Sequence, residues 1–234
     1  VKFTPATDTD PAKLTLTKAT IGGAQSPDPN YPGETDAIYS KMDFELVLVG
    51  ENTVNATPAP GDGGESYGIS CIEELNISGQ GSLTVNGAKA GGGSYGVAAF
   101  KLTVNSGTVN AASGEGSESY GFYGNTLTVN GGTVTATGKN YGVSAFTVIV
   151  DSGTLEAVGE TRAFELESTL NGDYTVLVNT DANSSNAQAW NEQNALVGEG
   201  SPYKYVKITQ ADKKYNVTFT IEGDDTYGSP TEST

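Results

Sequence analysis

The sequence predicts an all-β fold: a right-handed parallel β-helix, single-stranded in the sense of one chain, with about six to seven turns over residues 1–180 and a C-terminal cap over 181–210. Three observations predict it. One pattern recurs, Tyr-Gly-apolar (Tyr39-Ser40 in the first copy) followed by two short apolar-alternating pieces, with Tyr39, Tyr67, Tyr95, Tyr120 and Tyr141 spaced by 28, 28, 25 and 21 residues; a period of this size marks stacked repeat architectures. Each piece alternates with period 2 but is too short to bury a core alone, so the copies must stack. Gly, Asn and Ser split the pieces of each copy from one another.

Taken in order, Leu14-Thr15-Leu16-Thr17 with Ala19-Thr20-Ile21 is a partial first copy. Full copies begin at Tyr39, Tyr67, Tyr95, Tyr120 and Tyr141, and a weaker one at Arg162-Ala163-Phe164 runs through Asn171. Aligning them gives interior columns: Ile69, Val97, Phe122 and Val143; Leu75, Leu102, Leu127 and Val148; Ile77, Val104, Val129 and Val150; and Val54, Leu83, Val109, Val134 and Leu155. Ser78, Asn105, Asn130, Asp151 and Asn171 align in a turn, where Asn tolerates left-handed backbone and can hydrogen-bond between copies. Length varies in the segments 57–66, 88–94, 112–119, 137–140 and 158–161, which therefore stack as loops along one edge. After residue 180 the pattern decays. Residues 184–191, with Trp190, read as a short helix or an irregular lid, and 203–209 as a strand of the cap. Residues 211–234 read as a linker or the start of a following β module, with a strand at 215–221.

Composition excludes several functions. With 12 Lys plus Arg against 28 Asp plus Glu, a net charge of −16, the chain has no electrostatic footprint for nucleic acid. No apolar run approaches the roughly 20 residues of a membrane span. Without histidine there is no Ser-His or Cys-His nucleophile and no His metal centre. The lone Cys71 excludes an intrachain disulfide and, with no base beside it, reads as a buried inert thiol. The start at Val-Lys-Phe, with neither Met nor an apolar leader, reads as a piece of a longer precursor.

Leu14-Thr15-Leu16-Thr17 with Ala19-Thr20-Ile21, Leu75-Asn76-Ile77-Ser78-Gly79-Gln80-Gly81-Ser82-Leu83-Thr84-Val85 and Asn130-Gly131-Gly132-Thr133-Val134-Thr135-Ala136 resemble the repeats of the carbohydrate-binding-domain β-helix proteins on the surfaces of anaerobic Gram-positive bacteria. The resemblance covers roughly residues 12–175. It implies a polysaccharide-lyase-like right-handed β-helix, an extracellular location, and binding of plant or acidic polysaccharides, in some members with calcium. Where that family's repeats often carry Asp-Gly, this chain carries Tyr67-Gly68, Tyr95-Gly96, Tyr120-Gly121 and Tyr141-Gly142.

The tyrosines are the sharpest candidates. Tyr39, Tyr67, Tyr95, Tyr120 and Tyr141 would stack about 4.8 Å apart. Facing solvent they form a strip on which sugar C–H faces pack; packed on one another they form a structural ladder. Asp62, Glu65, Glu115 and Glu118, with Glu160, place carboxylates in the stacked loops, either as solvated charge or as hard-oxygen ligands for calcium, although none follows an EF-hand or the Gly-rich calcium nonapeptide. Arg162 occupies the Tyr position of the last copy and reads as a cation–π cap on Tyr141. A hydrolase of this fold needs converging carboxylates on neighbouring copies, and the strand columns offer Thr, Asn and Ser instead. The expectation is a noncatalytic, monomeric, extracellular polysaccharide-binding module of a bacterial surface protein, or else a stalk or adhesin segment that spaces other domains.

Overall fold

The computed structural model describes residues 1–7, 9–25, 33–166, 168–171 and 174–211. Among them every regular element is a strand, and the strands form two sheets. Each repeat sends a long strand to the first sheet and then a short one to the second. Gly93–Val104 is followed by Thr108–Ala112, and Glu118–Val129 by Thr133–Gly138. Copies pair in parallel within both sheets: Glu65–Gly79 with Gly93–Val104 and that with Glu118–Val129, and likewise Ser82–Asn86, Thr108–Ala112, Thr133–Gly138 and Thr154–Gly159. The core lies between the sheets. Leu75, Leu102, Leu127 and Val148 fall on one register line and are buried there, each burial stabilising by about 1.5–3 kcal/mol.

The recurrent Ser-Tyr-Gly triplet has a separate physical role at each position. Serine ties adjacent loops together: Ser94 Oγ donates to the Ala88 carbonyl at 2.8 Å and accepts from the Gly114 amide at 2.7 Å. Ser66 likewise donates to Thr57 and accepts from Ala88. Tyrosine turns away from the core. Glycine is required because the second sheet passes directly beneath: a Cβ on Gly121 would lie 2.3 Å from the Thr137 amide nitrogen, and one on Gly142 2.4 Å from that of Val158. The variable loops stack as their lengths suggest, through Ala59 to Lys89, Ala90 to Glu115, Asn140 to Ser119 and Thr161 to Asn140 backbone hydrogen bonds.

At each end of the parallel stack one sheet is covered by a strand running the opposite way, the first sheet at the start and the second at the finish. Lys2–Thr4 lies antiparallel on Ala12–Thr17. Tyr205–Gln210 lies antiparallel on Thr154–Gly159, with Tyr174–Asn179 outside it. Residues 184–191 contain no helix; their only regular structure is the two-residue strand Gln188–Ala189, and the Trp190 indole N–H donates to the Asn194 carbonyl. The expected strand at 203–209 is Tyr205–Gln210, and the one expected at 215–221 lies outside the described residues.

Three alignments differ from the expectation. In the second sheet Val54 pairs with Val85, and the buried Asn52 stands opposite Leu83. The Asn52 side chain ends that apolar column by accepting from the Ala19 amide and donating to the Gly50 and Ser82 carbonyls. Asn171 pairs with Ile149, two positions before Asp151, rather than continuing the Asn105–Asn130–Asp151 line: the offset between the last two copies is 21 residues at Arg162 and 22 at Thr169. The Asn130 amide does donate to Asn105 Oδ1 at 2.9 Å. The left-handed backbone, however, belongs to glycines one or two positions further on, Gly79, Gly107 and Gly132, where no Cβ opposes it.

Candidate functional site

The strand registers place Tyr67, Tyr95, Tyr120 and Tyr141 opposite one another. Their rings stack with centroid separations of 4.6, 5.7 and 5.7 Å and interplanar angles of 8, 9 and 23°. Arg162 ends the column, its guanidinium carbon 5.3 Å from the Tyr141 centroid. The ring faces are thus covered by one another, and Tyr95 and Tyr120 are only 5% and 3% exposed. Tyr39 is not in this column. Asp36 pairs with Tyr67, and Tyr39 stands three residues further along, opposite Ser70. The first copy has its Tyr three positions late relative to Ile38, which keeps register with Ile69.

Three of the four phenol hydroxyls are committed. Tyr67 donates to Glu65 at 2.6 Å, Tyr95 to Glu65 at 3.3 Å, and Tyr120 to Glu165 at 3.0 Å. Burial, the hydrogen bond to Glu65 and that carboxylate's charge push the Tyr67 phenol far above the usual tyrosine range. Burial does the same to Tyr95, helped by the charges of Glu65 and Glu118, and to Tyr120, helped by Glu165 and Glu118. All three therefore act as neutral donors that hold carboxylates in place.

The loop acids do not gather around a common point. Glu65 faces the phenols, Glu115 lies 3.6 Å from Lys89, Glu160 lies 2.9 Å from Lys139, and Glu118 lines a groove beside Tyr120. Among the described residues no three of Asp, Glu and Cys, Asp62 included, are placed to hold a metal ion. The calcium set Asp62, Glu65, Glu115 and Glu118 is therefore not assembled among the described residues: Glu65 is drawn to the phenols and Glu115 to Lys89.

The groove, about 640 Å³, runs over the outer face of the first sheet. Its apolar walls are Ile72, Phe100, Tyr123 and Phe146, which are 50%, 59%, 45% and 62% exposed. Tyr123 also leans on Tyr95 and Tyr120, with centroids 5.4 and 5.3 Å away. Polar groups come from Glu118, Glu165 and Ser144, and the Ser144 hydroxyl donates to Glu165 at 2.7 Å. Glu165 is thus oriented by two hydroxyls, one on each oxygen. Simple alternation misplaces Phe100, putting it inward with Leu102. In the structure Val97 and Ala99 face inward, a register shift follows Ala99, and Leu102 resumes the inward face. The three-residue step turns Phe100 out, and Ala145 before Phe146 and Val148 repeats it. The signal available in the sequence is this inward small-apolar-apolar step, together with a bulky aromatic at its middle.

An all-β chain of two largely parallel sheets, carrying an exposed aromatic groove floored by buried phenols, is the class that fold and site define. No family model, curated protein or solved structure matches the chain.

Proposed function

We propose that the chain is a noncatalytic glycan-binding module, built as a right-handed parallel β-helix and belonging to an extracellular bacterial surface protein. The alternation of each repeat between two sheets, with parallel pairing between copies, supports the coil. The observation that carries the function is the groove: Phe100, Tyr123 and Phe146 expose ring surface on one face, beside a carboxylate fixed by Tyr120 and Ser144. Sugar C–H faces pack on such rings, and carboxylates accept from sugar hydroxyls; few polar groups among apolar walls is the usual composition of a ligand site. The stacked tyrosines act beneath this surface, as its support. Tyr120 and Ser144 hold Glu165 in one orientation, which suits a fixed acceptor for sugar hydroxyls.

The test is a glycan array probed with the wild-type chain and with the Phe100→Ala/Phe146→Ala double variant. Both side chains are more than half exposed, so the double variant keeps its thermal midpoint within a few degrees while losing binding. A wild-type chain that binds no glycan, or a double variant that binds normally, refutes the reading. The first of these results favours the stalk alternative, to which the mutual covering of the tyrosine faces also lends support.

A further inference from the structure

Resting on the glycan reading, we infer that the groove selects sugars bearing a free ammonium group, a de-N-acetylated hexosamine, over neutral or acidic ones. The groove lining contains Glu118 and Glu165 and neither Lys nor Arg. None of the described cations lies within ion-pair distance of Glu165, whose contacts are the Tyr120 and Ser144 hydroxyls. Arg162 sits in an adjoining cavity of about 390 Å³, over Tyr141, and that cavity holds Glu199 as well as Glu165. Lys101, next to Phe100 in sequence, is paired with Glu74 at 3.0 Å.

Two negative charges in a partly enclosed, ring-walled groove need a positive partner more than they need hydroxyls. A carboxylate held by neutral donors keeps its full charge and remaining lone pairs for a ligand. The electron-rich faces of Tyr123, Phe100 and Phe146 attract an ammonium group as well. An anionic sugar would meet like charge in the groove and a chain of net charge −16 around it. An ammonium at C2 of a hexose lies at the rim of a sugar ring, so the ring can pack on an aromatic wall while its nitrogen reaches Glu165.

The probes are the β-1,4-linked hexamers of glucosamine and of N-acetylglucosamine, titrated calorimetrically at pH 6 in 150 mM salt. The expected result is that the glucosamine hexamer binds at least about tenfold tighter, the effect of one charge-assisted hydrogen bond. Glu165→Gln removes that preference while retaining an acceptor for Tyr120, and near-UV circular dichroism verifies that the aromatic column is intact. Glu51→Gln, an exposed acid on the second sheet, leaves the preference unchanged and so reports on nonspecific attraction to an acidic protein. Equal or tighter binding of the acetylated hexamer overturns the inference and leaves the glycan reading standing, as does a preference lost equally in both Gln variants. Absence of binding to either hexamer also overturns it; the glycan array then decides the broader reading separately.

Discussion

Gly121→Ala tests the architecture beneath the groove. The added Cβ would lie 2.3 Å from the Thr137 nitrogen and 2.6 Å from the Ala136 carbonyl carbon, so the two sheets must separate there by roughly 1 Å to restore ordinary contact. Both opposing atoms are backbone. They belong to Thr133–Gly138, which is paired on both sides, with Thr108–Ala112 and Thr154–Gly159, and so cannot yield alone. Overpacking costs typically 1–3 kcal/mol; with rigid backbone on the far side the upper end, about 3 kcal/mol, applies. For a chain of this length that is a fall of about 6–12 °C in thermal midpoint. Gly63 is the matched control: a Cβ there meets nothing within 4 Å, so Gly63→Ala leaves stability unchanged or raises it by about 0.5 kcal/mol. Urea and thermal unfolding followed by circular dichroism measure both. Equal stability of the two variants would refute the close sheet approach that makes glycine necessary after each tyrosine.

Titration of the phenols offers a second test. Tyr67, Tyr95 and Tyr120 have folded values raised above the ordinary 10.0, so the folded state holds these protons more tightly than the unfolded one. Their contribution to stability is present below pH 10 and is lost as the pH rises beyond it. Absorbance at 295 nm will show these three ionising only with unfolding; ordinary midpoints in the folded chain contradict the burial. Burial also raises the Cys71 thiol to about 11, so a disulfide reagent at pH 8 reacts slowly with the native chain and rapidly in urea, whereas fast native labelling would place the thiol at the surface. Ser94→Ala removes a buried hydroxyl and leaves the half-buried Gly114 amide without its acceptor, a cost of about 1 kcal/mol or somewhat more. Ser117→Ala, at an exposed hydrogen bond to Gly92, costs far less; equal losses in urea melts would show that the serine column does not hold the loops together.

The repeat was readable because like residues sit at like positions. Tyr-Gly, the Leu-Thr-Val pieces and the loop lengths specify which strands pair and which side chains are buried, and the registers of Leu75, Leu102 and Leu127 follow. Legibility failed where a copy departs from the rest. Tyr39 follows the pattern by spacing but not by register, since Ile38, not Tyr39, aligns the first copy through burial against its neighbour. Asn52 in an apolar column answers to backbone groups at the end of the stack, which alternation does not encode. The groove was obscured for a different reason. Phe100 and Phe146 lie where the strand changes which parity faces inward, and one residue of offset reverses every side chain. Nothing in its own copy marks Glu165, because its partners Tyr120 and Ser144 come from other copies, 45 and 21 residues away.

The closing strand Tyr205–Gln210 has a consequence for biosynthesis. Each parallel copy can dock on the one already made as the chain emerges, but Thr154–Gly159 receives its outer partner only after some fifty further residues have been produced. During that interval the nascent protein carries a bare row of amides and carbonyls, the kind of border that recruits a strand from a neighbouring molecule. A chain that stops before residue 205 therefore lacks the covering strand and yields a sticky product rather than a slightly shorter one.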